Sequence, residues 1–311
     1  MNNSDQIMDY NRILGEIATE VEPLRGEGRL PEYIPALARV NPDRFGICLL
    51  TTGGERFEFG DTGERFSIQS ITKVFSLSVA LSLIGEELWQ RVGKEPSGSA
   101  FNSLIQLEID HGIPRNPFIN AGAIVVADVL LSSLPSPEAD YMDFLRRISG
   151  DQTVDYNRKM AASEREAGYV NAAITNMLKY YGNLTNDIED VLRFYFLQCS
   201  VEMNCRQLAQ AFLPFADRNR RFEFGNVSLT YSQVKRINAI MQTCGFYNDA
   251  GEYSYLVGLP GKSGVGGGIG AIYPCHYSVA TWSPRLNGKG NSVMGIKALE
   301  LLTTYTHESI F

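Results

Sequence analysis

Strand-forming segments in this chain sit near its two ends, and the long stretch between them reads as almost entirely helical. Residues 45–50 and 56–59 are apolar or alternating runs that flank Thr52-Gly53-Gly54-Glu55, the turn chemistry of a β-hairpin. Strand candidates return only late, at 253–257, 265–273 and 277–282. An unpaired strand edge exposes a row of N–H and C=O groups, so strands at both ends of a chain are expected to rejoin in one antiparallel sheet. The expectation is an α+β chain. Residues 1–69 together with 236–311 would form a discontinuous sheet domain, 70–235 an inserted helical domain, and the cleft between them the site.

Helical spacing supports that division. Ile13, Ile17, Val21 and Leu24 recur on one face, and Leu37 and Val40 follow Pro35 with a similar period, which predicts two short helices over 7–40. Residues 66–69 lead into a helix at 70–85, with further helices at 187–196, 207–215, 233–243 and 291–304. Turns are marked at 96–98, 114–117, 135–137 and 288–290.

Composition excludes several classes of function. A net charge of −7 over 311 residues argues against a nucleic-acid or acidic-membrane surface. The longest apolar runs, 74–84 and 121–131, are too short to span a bilayer. The first ten residues are polar and carry Asp5 and Asp9, unlike a secretory signal, and the expected location is the cytoplasm. Five cysteines without a C-x-x-C pair read as buried free thiols. His111, His276 and His307 are widely separated, so neither a metal nor a cofactor is expected.

The chemistry lies in two short motifs. Ser70-Ile71-Thr72-Lys73 heads an apolar helical run, and Lys262-Ser263-Gly264 lies inside the glycine-rich stretch 258–270. A serine and a lysine three residues apart on a helix share a face, so the amine can reach the hydroxyl. A second lysine nearby disfavours the charge of the first, and the neutral amine can take the serine proton. Alone, S-x-x-K is a weak signal. Ser232-Gln233-Val234-Lys235 repeats it and reads as a helix start with Ser232 as N-cap.

The glycine-rich stretch is neither a P-loop, because Leu256 stands where glycine is required, nor a dinucleotide turn, because 272–275 does not open a helix. Two readings stay open: a strand whose bare backbone admits a substrate and offers N–H donors, or a glycine bulge packed against a helix. No S-x-N and no G-x-S-x-G occurs; two Y-x-N sequences do, at 169–171 and 181–183.

These motifs resemble the serine-dependent glutaminases, a family with the β-lactamase/transpeptidase-like fold that hydrolyses L-glutamine to L-glutamate and ammonia. The likeness runs over roughly residues 30 to 305. It includes the segment 66–73, Asn116-Pro117 through Asn120-Ala121-Gly122-Ala123, Ser163-Glu164 with Asn171, Cys244-Gly245-Phe246-Tyr247, Lys262-Ser263-Gly264-Val265, Trp282-Ser283-Pro284 and Gly290-Asn291-Ser292.

The resemblance implies Ser70 as nucleophile, Lys73 as its general base and Lys262 as electrostatic support. Tyr33 and Tyr247 would line the catalytic pocket, with Tyr247 sharing or relaying the proton transfer. Asn120, Glu164, Asn171, Tyr195 and Val265 would contact the substrate, Val265 through its backbone N–H. It also implies a homodimer or homotetramer. From the residues alone, Glu164 would pass for a solvated helix residue beside Arg165 and Glu166, and Tyr195 for a core aromatic. Two positions depart from the family: Val170 stands where arginine is usual, and Gly261 where alanine is usual. The competing expectations are another serine hydrolase of the same fold and a non-catalytic glutamine sensor.

Overall fold

The computed structural model describes residues 8–98, 102–220, 222–224 and 227–311. Five antiparallel strands form the main sheet, in the order Arg56–Gly60, Gly46–Thr51, Tyr277–Trp282, Gly268–Tyr273 and Gly261–Ser263. The two end segments of the chain thus meet where Cys48 lies opposite Ala280.

Alternation along the strands gives each face its own partners. Ile47, Leu49 and Val279 point to a core shared with helices Tyr10–Val21 and Val293–Thr306, through Ile13, Ile17, Leu299 and Leu302. Cys48, Leu50 and Ala280 point the other way, into a core shared with the central helices. Helix Cys205–Ala216 packs on that second face, and its Phe212 ring sits where any side chain at Gly270 would be.

Helix Thr72–Ile84 is apolar on all sides, with every residue from Thr72 to Leu81 buried. A helix of that kind must lie inside the protein. It packs against Asn120–Ser133, which is equally apolar, and together they carry the site's lysine and one of its amides. Among the described residues, no helix is long and apolar enough to cross a membrane.

Several sequence expectations change. Of residues 253–257, all but Val257, which caps it, belong to helix Ala250–Leu256 rather than to a strand; Tyr253 is buried against Phe246, their rings stacked 3.4 Å apart. The strand expected at 265–273 begins only at Gly268, after a turn. The second helix expected before residue 40 is a single 3-10 turn, Leu37–Arg39. The N-cap of helix Tyr231–Cys244 is Thr230, not Ser232; Thr230 and Gln233 form a reciprocal capping box. Cys48, Cys199, Cys205 and Cys244 are buried free thiols, whereas Cys275 is exposed at a hairpin turn.

Candidate active site

Ser70 lies in the 3-10 turn Gln69–Ile71 that feeds helix Thr72–Ile84. The preceding Gln69 holds a left-handed φ of 49°, a conformation that costs a non-glycine residue about 1 kcal/mol. Its side chain holds it there: Nε2 donates to Ser67 Oγ at 2.9 Å and to Glu164 Oε1 at 2.8 Å. The glycine-rich turn presses on this segment from the other side. A Cβ at Gly264 would stand 2.5 Å from the Ile68 carbonyl oxygen, and one at Gly266 2.2 Å from that of Ser67. These glycines therefore serve close backbone packing against the segment that carries Ser70, which decides between the two open readings for both positions.

A cavity of about 320 Å³ opens over Ser70. Tyr33, Asn120, Glu164, Asn171, Tyr195, Tyr247 and Val265 all line it, together with Gln69 and Cys199. Lys73 and Lys262 are fully buried and do not line it. Lys73 Nζ donates to Asn120 Oδ1 at 2.7 Å and to the Phe118 carbonyl at 3.1 Å. Burial pulls its pKa down to about 8, with Cys199 and Glu164 opposing the shift. Lys262 Nζ donates to the Ser263 carbonyl at 2.6 Å and sits 4.4 Å from the centre of the Tyr247 ring. Burial lowers its pKa well below the usual lysine value, and the charge of Lys73 adds to that.

Tyr247, at φ 52°, lines the cavity beside Ser70 and Val265. Burial raises its phenol above the ordinary value, although the polar groups of Ser70, Ser263 and the Val265 backbone pull the other way.

On the opposite wall, Asn120 passes its order onward, its Nδ2 donating to Asn171 Oδ1 at 2.9 Å. Asn171 is thereby oriented from Asn120, and its neighbour Val170 is exposed at the rim. Glu164 is buried; burial raises its pKa to about 8, while the Gln69 bond and the Lys73 charge pull the other way. Its neighbour Ser163 accepts from the backbone N–H of Ala36 at 3.2 Å, which docks the loop that carries Tyr33. Tyr33 is 58% exposed at the mouth. Tyr195 is buried and its phenol is raised by burial.

Such a site can attack a carbonyl with Ser70, hold an ammonium with Glu164 and bind a small polar acid through amides and phenols.

A family model for glutaminase matches residues 28–311. A glutaminase of Christiangramia forsetii is 52% identical over 304 residues, covering 98% of this chain and 100% of that one. A glutaminase of Saccharophagus degradans is 51% identical, covering 98% and 99%. The chain belongs to the glutaminase family. Among solved structures, a probable glutaminase of Bacillus subtilis superposes with a TM-score of 0.86 at 29% identity, covering 97% and 98% of the two chains. A probable glutaminase of Bacillus subtilis complexed with 6-diazo-5-oxo-L-norleucine gives 0.85 at 28%, covering 98% of each. These glutaminases share the α+β, β-lactamase-like fold.

Sequence reading does not single out Ile34, Gln69, Asn102, Ala167, Gly168 or Cys199 of the glutaminase cavity. Gln69 lies inside the nucleophile segment 66–73, and its adjacency to Ser70 is a usable signal. Cys199 looked like a core thiol, and nothing local marks it as cavity wall. Of the two Y-x-N sequences, the first places Asn171 at the cavity. The second places Asn183 in structural bonds, Nδ2 donating to the carbonyls of Arg91 at 2.9 Å and Gly112 at 2.8 Å.

Proposed function

We propose that this chain hydrolyses L-glutamine to L-glutamate and ammonia through a γ-glutamyl ester on Ser70. The observation that carries the reading is one small cavity that joins Ser70 to the buried Glu164 carboxylate and the Asn171 amide, with Lys73 donating to the Asn120 of its wall. Glu164 takes the α-ammonium, and Asn171 and Tyr195 take the α-carboxylate side. This sets the δ-amide against Ser70. Ser70 Oγ bonds to the δ-carbon while Lys73, neutral in part of the population near pH 8, accepts its proton, with Tyr247 sharing the transfer.

The backbone N–H groups of Ser70 and Val265 hold the oxyanion, each worth roughly 3–4 kcal/mol of barrier. The C–N bond then breaks, the nitrogen takes the proton and ammonia leaves. Water adds to the ester, gives up its proton along the same route, and frees glutamate and the Ser70 hydroxyl. We assign Lys262 an electrostatic supporting role: it is buried 4.4 Å from the centre of the Tyr247 ring, and the charge of Lys73 adds to the burial that lowers its own pKa.

We place the protein in the cytoplasm, in keeping with its buried free thiols, and as a homodimer or homotetramer. We divide it into residues 1–69 with 236–311 and an inserted 70–235, which the shared sheet supports.

Ammonia release from L-glutamine, measured beside asparagine and a Ser70→Ala control, tests the reading. Release that favours glutamine and is lost in Ser70→Ala supports it. A Ser70→Ala variant with wild-type turnover removes Ser70 as nucleophile, and tight glutamine binding without ammonia marks a sensor.

A further inference from the structure

Lys73 Nζ donates to two neutral oxygens, the Phe118 carbonyl at 3.1 Å and Asn120 Oδ1 at 2.7 Å. Both belong to the opening of helix Asn120–Ser133. The N-cap of that helix is Ile119, whose apolar side chain cannot hold the chain there by a hydrogen bond. Order comes instead from Asn116, which is 1% exposed and enters none of the steps above. Its Oδ1 accepts from the backbone N–H of Phe118 at 3.0 Å and from that of Ile119 at 3.1 Å. Its Nδ2 donates to the Glu95 carbonyl at 2.9 Å.

These partners leave Asn116 one arrangement. Two N–H groups need an oxygen and one carbonyl needs an NH₂ group, so a turned-over amide would set donors against donors and acceptor against acceptor. Its backbone is held as firmly. A Cβ at Gly122 would stand 2.0 Å from the Asn116 carbonyl oxygen, so the first turn of the helix rests directly on this residue. On the approach, the backbone N–H groups of Gly93 and Glu95 donate to the carbonyls of Pro114 and Arg115 at 2.7 and 2.9 Å.

The Ile119 N–H held by Asn116 and the Phe118 C=O that receives Lys73 belong to one planar trans peptide group, in which they point in opposite directions. Holding the N–H therefore aims the C=O. An engaged N–H also polarises its own carbonyl and makes the oxygen a better acceptor. We infer that Asn116 is a positioning residue for Lys73, fixing the Phe118–Ile119 peptide so that its carbonyl, with Asn120, holds the amine in place for proton transfer. This rests on Lys73 being the general base of the proposed reaction. Without Asn116 the peptide can tilt, and Lys73 loses one of its two oxygens. A bond lost from the ammonium favours the neutral amine, yet the amine is no longer held for transfer. Glu164 and Tyr195 stand on other helices, so turnover falls more than affinity.

The test is kinetics on the full chain, with KM and the pH profile of kcat at saturating glutamine measured in wild type, Asn116→Ala and Asn116→Ser. The acid limb of kcat belongs to the substrate complex, where the ammonium already occupies Glu164, and so reports the base. The titratable groups that face Lys73, namely Glu164, Cys199 and Lys262, are unchanged in both variants. Asn116→Ala is expected to lower kcat at least about tenfold with KM changed less than about threefold, and to move the acid limb down by at least about half a pH unit. A serine hydroxyl accepts the same N–H bonds more weakly, so Asn116→Ser should fall between wild type and Asn116→Ala in both readouts. A merely structural role would scale kcat with the fraction folded and leave the limb in place. An unmoved limb, or Asn116→Ala with kcat within twofold of wild type, overturns the inference. Should Asn116→Ala fail to fold, Asn116→Ser is judged by its limb alone. Wild-type turnover in Lys73→Met would overturn the general base and this inference together; normal Lys73 dependence with a flat Asn116 series overturns the inference alone.

Discussion

Asp128 and Glu164 are both buried carboxylates on helices of the central region, and they are treated in opposite ways. Asp128 is 0% exposed and saturated with donors. Arg91 Nη2 reaches it at 2.6 Å, the backbone N–H groups of Thr185 and Asn186 at 3.2 and 2.8 Å, and the Asn186 side chain at 2.9 Å. Burial alone would raise its pKa, but these bonds outweigh it and hold the carboxyl below its usual value. Among the described residues Glu164 is given one side-chain donor, Gln69, and its pKa rises to about 8. A saturated carboxylate ties the turn after helix Tyr169–Tyr180 to helix Asn120–Ser133. An undersupplied one facing a cavity has acceptor capacity in reserve, which is what an incoming ammonium requires.

The largest expected effect comes from removing that reserve. Glu164→Gln should lower kcat/KM for glutamine about 100-fold, the loss of a desolvated charge-assisted contact worth roughly 3 kcal/mol. The loss should fall mostly on KM, with folding intact by circular dichroism. Steady-state kinetics checks it; an unchanged KM would mean that the ammonium is held elsewhere.

The reverse is expected at the saturated carboxylate. Asp128→Asn leaves the Arg91 charge without its partner and should cost about 2–3 kcal/mol of unfolding free energy in denaturant titrations. The surviving folded enzyme should keep the wild-type KM, because among the described residues the side-chain bonds of Asp128 go to Arg91, Thr185 and Asn186, none of which lines the cavity. A large rise in KM at unchanged stability would erase the distinction between the two carboxylates.

How much of this contrast could be read in the sequence depends on how local each signal is. Ser70 and Lys73 are three residues apart, a spacing local enough to be read as a motif, although Ser70 lies in the 3-10 turn that precedes the helix of Lys73. Lys262 became visible as the second half of a motif pair. The strand-poor middle and strand-rich ends point to the α+β class because each strand's pattern is contained in three to six residues. The failures are of two kinds. Tyr253, Tyr255 and Val257 alternate like a strand, yet the segment coils because Tyr253 stacks on Phe246 while Tyr255 stays 88% exposed. The other kind is partnership at long range. Asp128 meets residues 57 and 58 positions away, Gln69 meets Glu164 across 95, and Asp249 meets Asn291 across 42. No periodicity in one sequence announces such pairs, whereas the Thr230–Gln233 capping box was local and open to reading.

The smallest effect is also the one that separates the two carboxylates by sign. Asp128 has its folded pKa depressed, so its contribution to stability is present above the unfolded value and is lost as pH falls through the acid range. Glu164 has its folded pKa raised from 4.5 to about 8. Between those values the unfolded chain is ionised while the native one retains the proton, so stability falls as pH rises, with a ceiling of about 1.4 kcal/mol per pH unit. Water in the open cavity solvates the carboxylate in part and should hold the total to about 1–2 kcal/mol over pH 5 to 8. Lys73, with its own value near 8, begins to release its proton only at the top of this window. Denaturant titrations of wild type and Glu164→Gln without glutamine, at pH 5, 6, 7 and 8, isolate the Glu164 contribution as a difference. The variant should gain on the wild type steadily with pH. Parallel curves would show that Glu164 is already ionised in the empty site, and that the ammonium has no proton to displace there.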